Sequence, residues 1–400
     1  MLGAGPAVFG RLRGVTFPVV GVIGGGQLAR MMAPEAVELG VELRVLAEGP
    51  DVSAVAAVKT TPIGDYRDLE ALRAFARDVD VITFDHEHVP TEHLRALIAE
   101  GVNVQPGPDA LVHAQDKIVM RTAVDRLGLP NPEWAAVDSV DALVEFGDRI
   151  GWPVVLKTPR GGYDGKGVRI VDDAADAADC ASWFESMSPL LAEAKVDFSR
   201  ELSVLVGRTP SGEERVWPVA HTIQVDGVCD EVIVPAPGLD PAVAQAAEAA
   251  ALTLAAELGV TGVMAAELFE TPGQGAGFLI NELAMRPHNT GHWTQDGSVT
   301  SQFEQHLRAV LDLPLGATDV LGGVAVMKNF LGGANQDIYS AMPAALAAAP
   351  GAKVHNYGKS VRPGRKIGHV NIVGPNASQA EELREQAGRV AAILRDGTGS

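Results

Sequence analysis

Cysteine is almost absent from this chain. Cys180 and Cys229 are the only two, far apart and without a C-x-x-C pair or metal-ligand spacing, which excludes a disulfide framework and a cysteine-held zinc or iron–sulfur site. They read as reduced thiols. Basic residues are also in deficit, 32 Lys and Arg against 51 Asp and Glu, giving a net charge of −19 and a pI near 4.9. Such a surface repels nucleic-acid phosphates and anionic lipid, so neither is an expected partner. No run approaches the ~20 uninterrupted apolar residues of a membrane span. The first seventeen residues carry Arg11 and Arg13 but no apolar run ending at a small-residue cleavage site, so no secretory signal is expected. The expectation is a soluble cytoplasmic enzyme with a frayed N-terminal extension and a loose C-terminal tail.

What is present is an alternation of short β-branched runs and helical stretches. Four hundred residues exceed what one core usually serves, predicting two or three domains. Val19-Val20-Gly21-Val22-Ile23, the Gly24-Gly25-Gly26 turn and a helix through Leu39 make a βαβ start, continued by strands at 41–46 and 80–84. We place this α/β unit at residues 18–112. A mixed α+β region, 113–312, opens on a helix capped by Asp116 and closed by Gly128. It continues through Pro153-Val154-Val155-Leu156-Lys157, a glycine-rich loop, a long alanine-rich helix at 240–258, and two strands at 262–269 and 278–283 joined as a hairpin. Residues 313–400 are expected to form a small accessory domain.

Five motifs carry chemistry. Gly24-Gly25-Gly26-Gln27-Leu28-Ala29, with Glu48 downstream, fits a dinucleotide fingerprint, but the same turn suits any anion or simply a tight structural bend. The run from Lys157 through Gly161, Gly162, Tyr163, Asp164, Gly165, Lys166 and Gly167 can fold over a ligand with backbone N–H groups and two lysines facing phosphates. It is no Walker A loop, because Gly167 stands where a magnesium-binding Ser or Thr is needed. The hairpin's centre of symmetry near residue 274 sets Glu267 and Glu282 almost opposite each other, with Asn281 alongside. Two carboxylates so placed repel unless a cation lies between them, and magnesium with nucleotide phosphates supplies one. Immediately beyond, Arg286, His288, Asn289 and His292 crowd one loop, where Arg286 and His288 suit a small planar anion. The basic segment Lys359, Arg362, Arg365, Lys366 reads as a phosphate-monoester site or as a solvated loop.

Together Lys157, the 161–167 loop, Glu267, Asn281-Glu282 and Arg286-Pro287-His288-Asn289 resemble the ATP-grasp superfamily. Within it, Gly24-Gly-Gly-Gln-Leu-Ala-Arg-Met, Gly161-Gly-Tyr-Asp-Gly-Lys-Gly, His288-Asn-Thr-Gly-His-Trp-Thr and Arg362-Pro-Gly-Arg-Lys-Ile-Gly-His look like the N5-carboxyaminoimidazole ribonucleotide synthetases, over residues 18–395. The resemblance implies an ATP-grasp fold with a Rossmann-like pre-ATP-grasp domain and a small C-terminal domain. It also implies a homodimer that joins aminoimidazole ribonucleotide to bicarbonate with ATP and Mg2+. By the same resemblance Lys117, Lys157, Gly162, Tyr163, Asp164, Gly165, Lys166, Gly167, Val168, Glu193, Glu201 and Gln224 surround ATP. Glu267 and Glu282 hold magnesium beside Asn281, while Arg286, His288 and Asn289 position bicarbonate. Glu87, Tyr163, Asp164 and the cations Lys359, Arg362, Arg365 and Lys366 face the ribonucleotide, with Gln27 of the first turn as a further substrate contact. The family commonly has Phe-Glu-Asn where this chain has His86-Glu87-His88, often arginine at Lys117 and Lys166, and often histidine at Gln224. Formate-dependent glycinamide ribonucleotide transformylase, a nucleotide-binding regulatory module and an NAD oxidoreductase are the rival readings.

Overall fold

The computed structural model describes residues 10–12, 15–161 and 167–397. A parallel three-stranded sheet opens the fold, with Val19–Ile23 between Glu42–Leu46 and Val81–Phe84. Every residue of the central strand is buried, as expected of a parallel strand covered on both faces. Helix Gln27–Leu39 follows and ends at Gly40 in the left-handed conformation. The segment expected to fray before it instead contains a short antiparallel pair, Gly10–Leu12 with Val15–Phe17.

The first glycine turn is closed by the chain's own carboxylates. Glu48 accepts from the Gly25 N–H at 3.0 Å, and Asp85 accepts from the Ala29 N–H at 2.8 Å. A Cβ on Gly26 would lie 2.0 Å from an Asp85 oxygen, so only glycine permits this approach. The anion place at this helix N-terminus is therefore taken by Asp85 and Glu48, which removes the dinucleotide reading of the motif.

Helix Lys117–Arg126 begins where its cap residue predicts. Asp116 accepts from the Ile118 and Val119 N–H groups, and Gly128 leaves the helix at positive φ. It leads into a four-stranded antiparallel sheet in the order Trp134–Val137, Leu190–Ala194, Val154–Lys157, Val168–Val171. A nine-stranded sheet forms the other wall, running from Phe278–Ala284 through Gly262–Glu270, Arg200–Arg208, Ala220–Val225 and Val228–Val234. Helix Pro241–Glu257 packs on it through Ala247, Ala251 and Leu254.

The strands of the last ninety residues extend that same sheet, since Val324–Leu331 pairs with Val228–Val234 and then with Lys366–Gly374. Helix Ala380–Asp396 covers this end. Its Leu383, Ala387, Val390 and Leu394, spaced at helical periodicity, are all buried against the strands.

Candidate active site

The two sheets face each other across a cavity of about 1120 Å³. The hairpin supplies its floor. Strands Gly262–Glu270 and Phe278–Ala284 pair so that Glu267 lies directly opposite Glu282, and a bulge follows between Glu267 and Leu268. The neighbouring strand Arg200–Arg208 adds Glu201, whose partner across the sheet is Phe269.

Three carboxylates on adjacent strands leave a clear electrostatic mark. Glu267 is enclosed by protein and opens only onto the cavity, with 23% of its side chain exposed. Burial, then the charges of Glu282 and Glu201, push its carboxyl up to about 8. Glu282 is partly relieved by Lys117, whose ammonium lies 3.0 Å away. Burial also raises Glu201, against a hydrogen bond from Gln224. Pairing of this kind suits a divalent cation, which would offset both the burial and the repulsion that raise the Glu267 carboxyl. No cluster of three or more His, Cys, Asp or Glu suited to a metal occurs among the described residues. The fit is to an ion that takes two protein carboxylates and completes its shell elsewhere, as magnesium does with phosphates and water.

Across the cavity, Glu193 is almost wholly buried between Lys157, 2.6 Å away, and Arg121. Burial alone would raise the Glu193 carboxyl, but Lys157 and Arg121 hold it below the ordinary range. Arg121 did not stand out in the sequence, yet it is fully buried and ties three elements together. It donates to Glu193, to Asn131 Oδ1 at 2.8 Å, and to the carbonyls of Ile280 and Asn281 at 2.6 and 2.9 Å. The available signal was its place one helical turn after Lys117, on the same face. Also unforeseen is an apolar wall of Ile170, Phe198 and Phe269, with the two phenyl rings stacked at 4.5 Å. Ile170 is 49% exposed and Phe198 40%. Large apolar side chains left open on a cavity wall suit a flat ring such as a purine base.

The loop after the hairpin closes the far end. Arg286 holds Glu87 at 2.7 Å. His288 is pressed down to about 3 by burial, then by the charges of Arg286 and Lys366, so its ring is neutral. Its Nδ1 accepts from the Thr290 N–H, which leaves the proton on Nε2, 3.6 Å from Glu267. With both groups neutral, this contact is not an ion pair. Asn289 is buried, and neither end of its amide has a nitrogen or oxygen partner among the described residues. The Cys229 thiol lies beside it, pushed up to about 12 chiefly by burial.

Three comparisons bear on this arrangement. The chain matches the model of the ribonucleotide synthetase preATP-grasp domain over residues 17–115, that of the ATP-grasp domain over 122–303, and that of the phosphoribosylaminoimidazole carboxylase C-terminal domain over 325–383. N5-carboxyaminoimidazole ribonucleotide synthase of Mycobacterium bovis is 51% identical over 374 residues, covering 92% of this chain and 87% of the relative. The chain belongs to the N5-carboxyaminoimidazole ribonucleotide synthase family. Its fold agrees with the crystal structure of the synthetase from Thermus thermophilus, at a TM-score of 0.84 and 36% identity over 93% of this chain and 98% of that one. The synthase from Aspergillus clavatus, crystallised with ADP and 5-aminoimidazole ribonucleotide, matches with a TM-score of 0.84 and 31% identity over 94% and 98%. The ATP-grasp fold with its preATP-grasp and C-terminal domains is thereby established, as is the class of an ATP-dependent ligase.

Against the contacts that family membership suggested, the cavity collects Glu87, Lys117, Lys157, Val168, Glu193, Glu201, Gln224, Glu267, Asn281, Glu282, Arg286, His288, Asn289 and Lys366. Gly162, Tyr163, Asp164, Gly165 and Lys166 lie outside the described residues, and Gly167 bonds back through its carbonyl to the Thr158 N–H. The basic segment is divided. Only Lys366 lines the cavity. Lys359 donates to Gln27 at 2.6 Å, Arg365 donates to the Ser360 hydroxyl at 2.8 Å, and Arg362 is exposed. His86 and His88, at the point where this chain departs from the family's usual Phe-Glu-Asn, line the cavity as stacked rings.

The raised Glu267 carboxyl gives a pH signature. Below about pH 8 the free protein holds a proton there, and a cation that binds Glu267 must displace it. Binding of magnesium–nucleotide at pH 7 is expected to release close to one proton, and release should fade above pH 8. Titration calorimetry in two buffers of different ionisation enthalpy reads this directly. Identical heats in both buffers at pH 7 would place the cation elsewhere.

Proposed function

We propose that this chain carboxylates the exocyclic nitrogen of 5-aminoimidazole ribonucleotide, consuming ATP and bicarbonate and releasing ADP and phosphate, in purine biosynthesis. The observation that carries the reading is the opposition of Glu267 and Glu282 in one cavity with Arg286, His288 and Asn289. The base of ATP rests on Ile170, Phe198 and Phe269, while Lys117 and Lys157 meet its phosphates. Magnesium between Glu267 and Glu282 would neutralise charge on the transferring phosphoryl group.

Arg286 and the Nε2–H of His288 hold bicarbonate, and the Asn289 amide beside the Cys229 thiol adds a donor. A bicarbonate oxygen attacks the γ-phosphorus in line, the bond to the β,γ-bridging oxygen breaks, and carboxyphosphate and ADP result. Carboxyphosphate then splits to carbon dioxide and phosphate. The exocyclic nitrogen of the ribonucleotide forms its bond to carbon and gives up a proton, for which the departing phosphate is the acceptor. Enclosure between the two sheets keeps water from the labile anhydride. Glu87 orients the imidazole, and Lys359, Arg365 and Lys366 receive the ribonucleotide's phosphate. We place the reaction in the cytoplasm and in a homodimer, as family resemblance implies.

Because Arg286 is assigned to bicarbonate rather than to ATP, Arg286→Ala is expected to raise the KM for bicarbonate by roughly 10- to 150-fold, the worth of a charge-assisted contact of about 1.5–3 kcal/mol. The KM for ATP should move far less. Steady-state ADP release with each substrate varied in turn distinguishes the two, and equal losses would reassign Arg286 to the nucleotide.

A further inference from the structure

A line of hydrogen bonds joins the basic segment to the bicarbonate loop. Lys359 Nζ donates to Gln27 Oε1 at 2.6 Å, and Gln27 Nε2 faces His292 Nε2 at 3.4 Å. His292 Nδ1 meets Gln302 Nε2 at 2.8 Å, and Gln302 clamps the backbone of His288 on both sides, accepting from its N–H and donating to its carbonyl, each at 2.8 Å. His292 and Gln302 are both fully buried.

Donor parity makes this line frustrated. Gln302 cannot turn its amide without setting N–H against the His288 N–H and oxygen against its carbonyl, so it must present a donor to His292. Lys359 has only donors. Between these two donating ends stand Gln27 and a neutral imidazole, each of which passes one hydrogen bond onward. Such a line cannot be matched throughout, so one contact must set donor against donor. With His292 accepting at Nδ1, its proton sits on Nε2 and points at the Gln27 amide nitrogen, and this is the contact that is stretched to 3.4 Å. Burial keeps His292 neutral by holding its protonation well below the ordinary range, so no second ring proton alters the count.

We propose that Gln27 is a positioning residue that couples Lys359 to the bicarbonate loop: when Lys359 turns to the ribonucleotide's phosphate, the Gln27 amide flips, accepts the His292 Nε2–H, and completes a matched line through Gln302 to His288. The mismatch is removed only when the second substrate is present, so the loop that holds bicarbonate is firmed in the complex able to use it. This rests on the reading above that Lys359 meets that phosphate.

The test is ADP release from MgATP and bicarbonate, with and without 5-aminoimidazole ribonucleotide. Gln27→Glu places a carboxylate that accepts from both Lys359 and His292, and Lys359→Met removes the donating end. Each variant is matched without ligand, and each is expected to raise ribonucleotide-free ADP release at least about three-fold, shrinking the stimulation by ribonucleotide. Combining them should add little. A pure binding role for Lys359 raises the KM for ribonucleotide and leaves the ribonucleotide-free rate unchanged, and that result in both variants overturns the proposal. Because the variants act at different points of the line, loss of folding in one, seen by melting, leaves the other to decide. A parent enzyme that forms no ADP with all substrates present would instead sink the functional reading itself.

Discussion

Glu282→Gln is expected to lower ADP production by roughly 10²–10³-fold, with the fold intact. The size follows from what the pair does: charge that develops on the transferring phosphoryl group must be met in an enclosed site, where removal of one fixed electrostatic partner typically costs that much. The fold should survive because Glu282 is 43% exposed and its main partner, Lys117, is itself at the cavity edge. Glu267→Gln should be equally damaging to turnover, but its effect on the free protein has a sign of its own. The native carboxyl is raised to about 8, so its contribution to stability is present at low pH and is lost as pH rises through that value. A neutral amide escapes this loss, and the ligand-free variant should melt no lower than the parent at pH 9. Turnover in Glu282→Gln close to the parent's would remove the carboxylate pair from the reaction.

The second large effect is one of stability. Arg121→Met, close in volume but without charge, is expected to destabilise the protein by about 3 kcal/mol, measured as a shift in the urea midpoint. Truncating one partner of a buried ion pair leaves the other charge uncompensated at a cost of about 3–5 kcal/mol, and Lys157 tempers this by remaining on Glu193. The carbonyls of Ile280 and Asn281 also lose their donor, which loosens the strand that carries Glu282. Nucleotide affinity should therefore fall along with stability. Arg121→Lys keeps the charge but not the fork and belongs in between. A midpoint unmoved by Arg121→Met would mean that Glu193 is served by Lys157 alone.

Much of this is legible in the sequence alone. The cap at Asp116, the glycine at 128, the helix closed by Gly259 and the hairpin around residue 274 are local signals, and local signals act within a few residues of where they are written. Strand arithmetic about residue 274 brings Glu267 to within one residue of Glu282, and the bulge on the turn side of the pair, between Glu267 and Leu268, sets them directly opposite. Arg121 was not legible, since a charged residue in a helix looks solvated until strands from far along the chain are laid over it. The same holds for Ile170 and Phe198, whose exposure has meaning only once a second sheet faces them.

The sequence by itself determined the order of elements, the family, the near-opposition of the two carboxylates and the donor-rich loop at 286–292, because each depends on residue type at short separation or on a motif carried intact. Tertiary structure alone decided the rest. It closed the first glycine turn with Asp85 and Glu48, sent Lys359 to Gln27 while leaving Lys366 at the cavity, and ran the C-terminal strands into the central sheet. Each of these joins residues far apart along the chain, and no pattern in a linear sequence specifies which distant donor a given acceptor will meet. That choice is made by packing, where most buried polar groups find a partner among those the fold brings within about 3 Å.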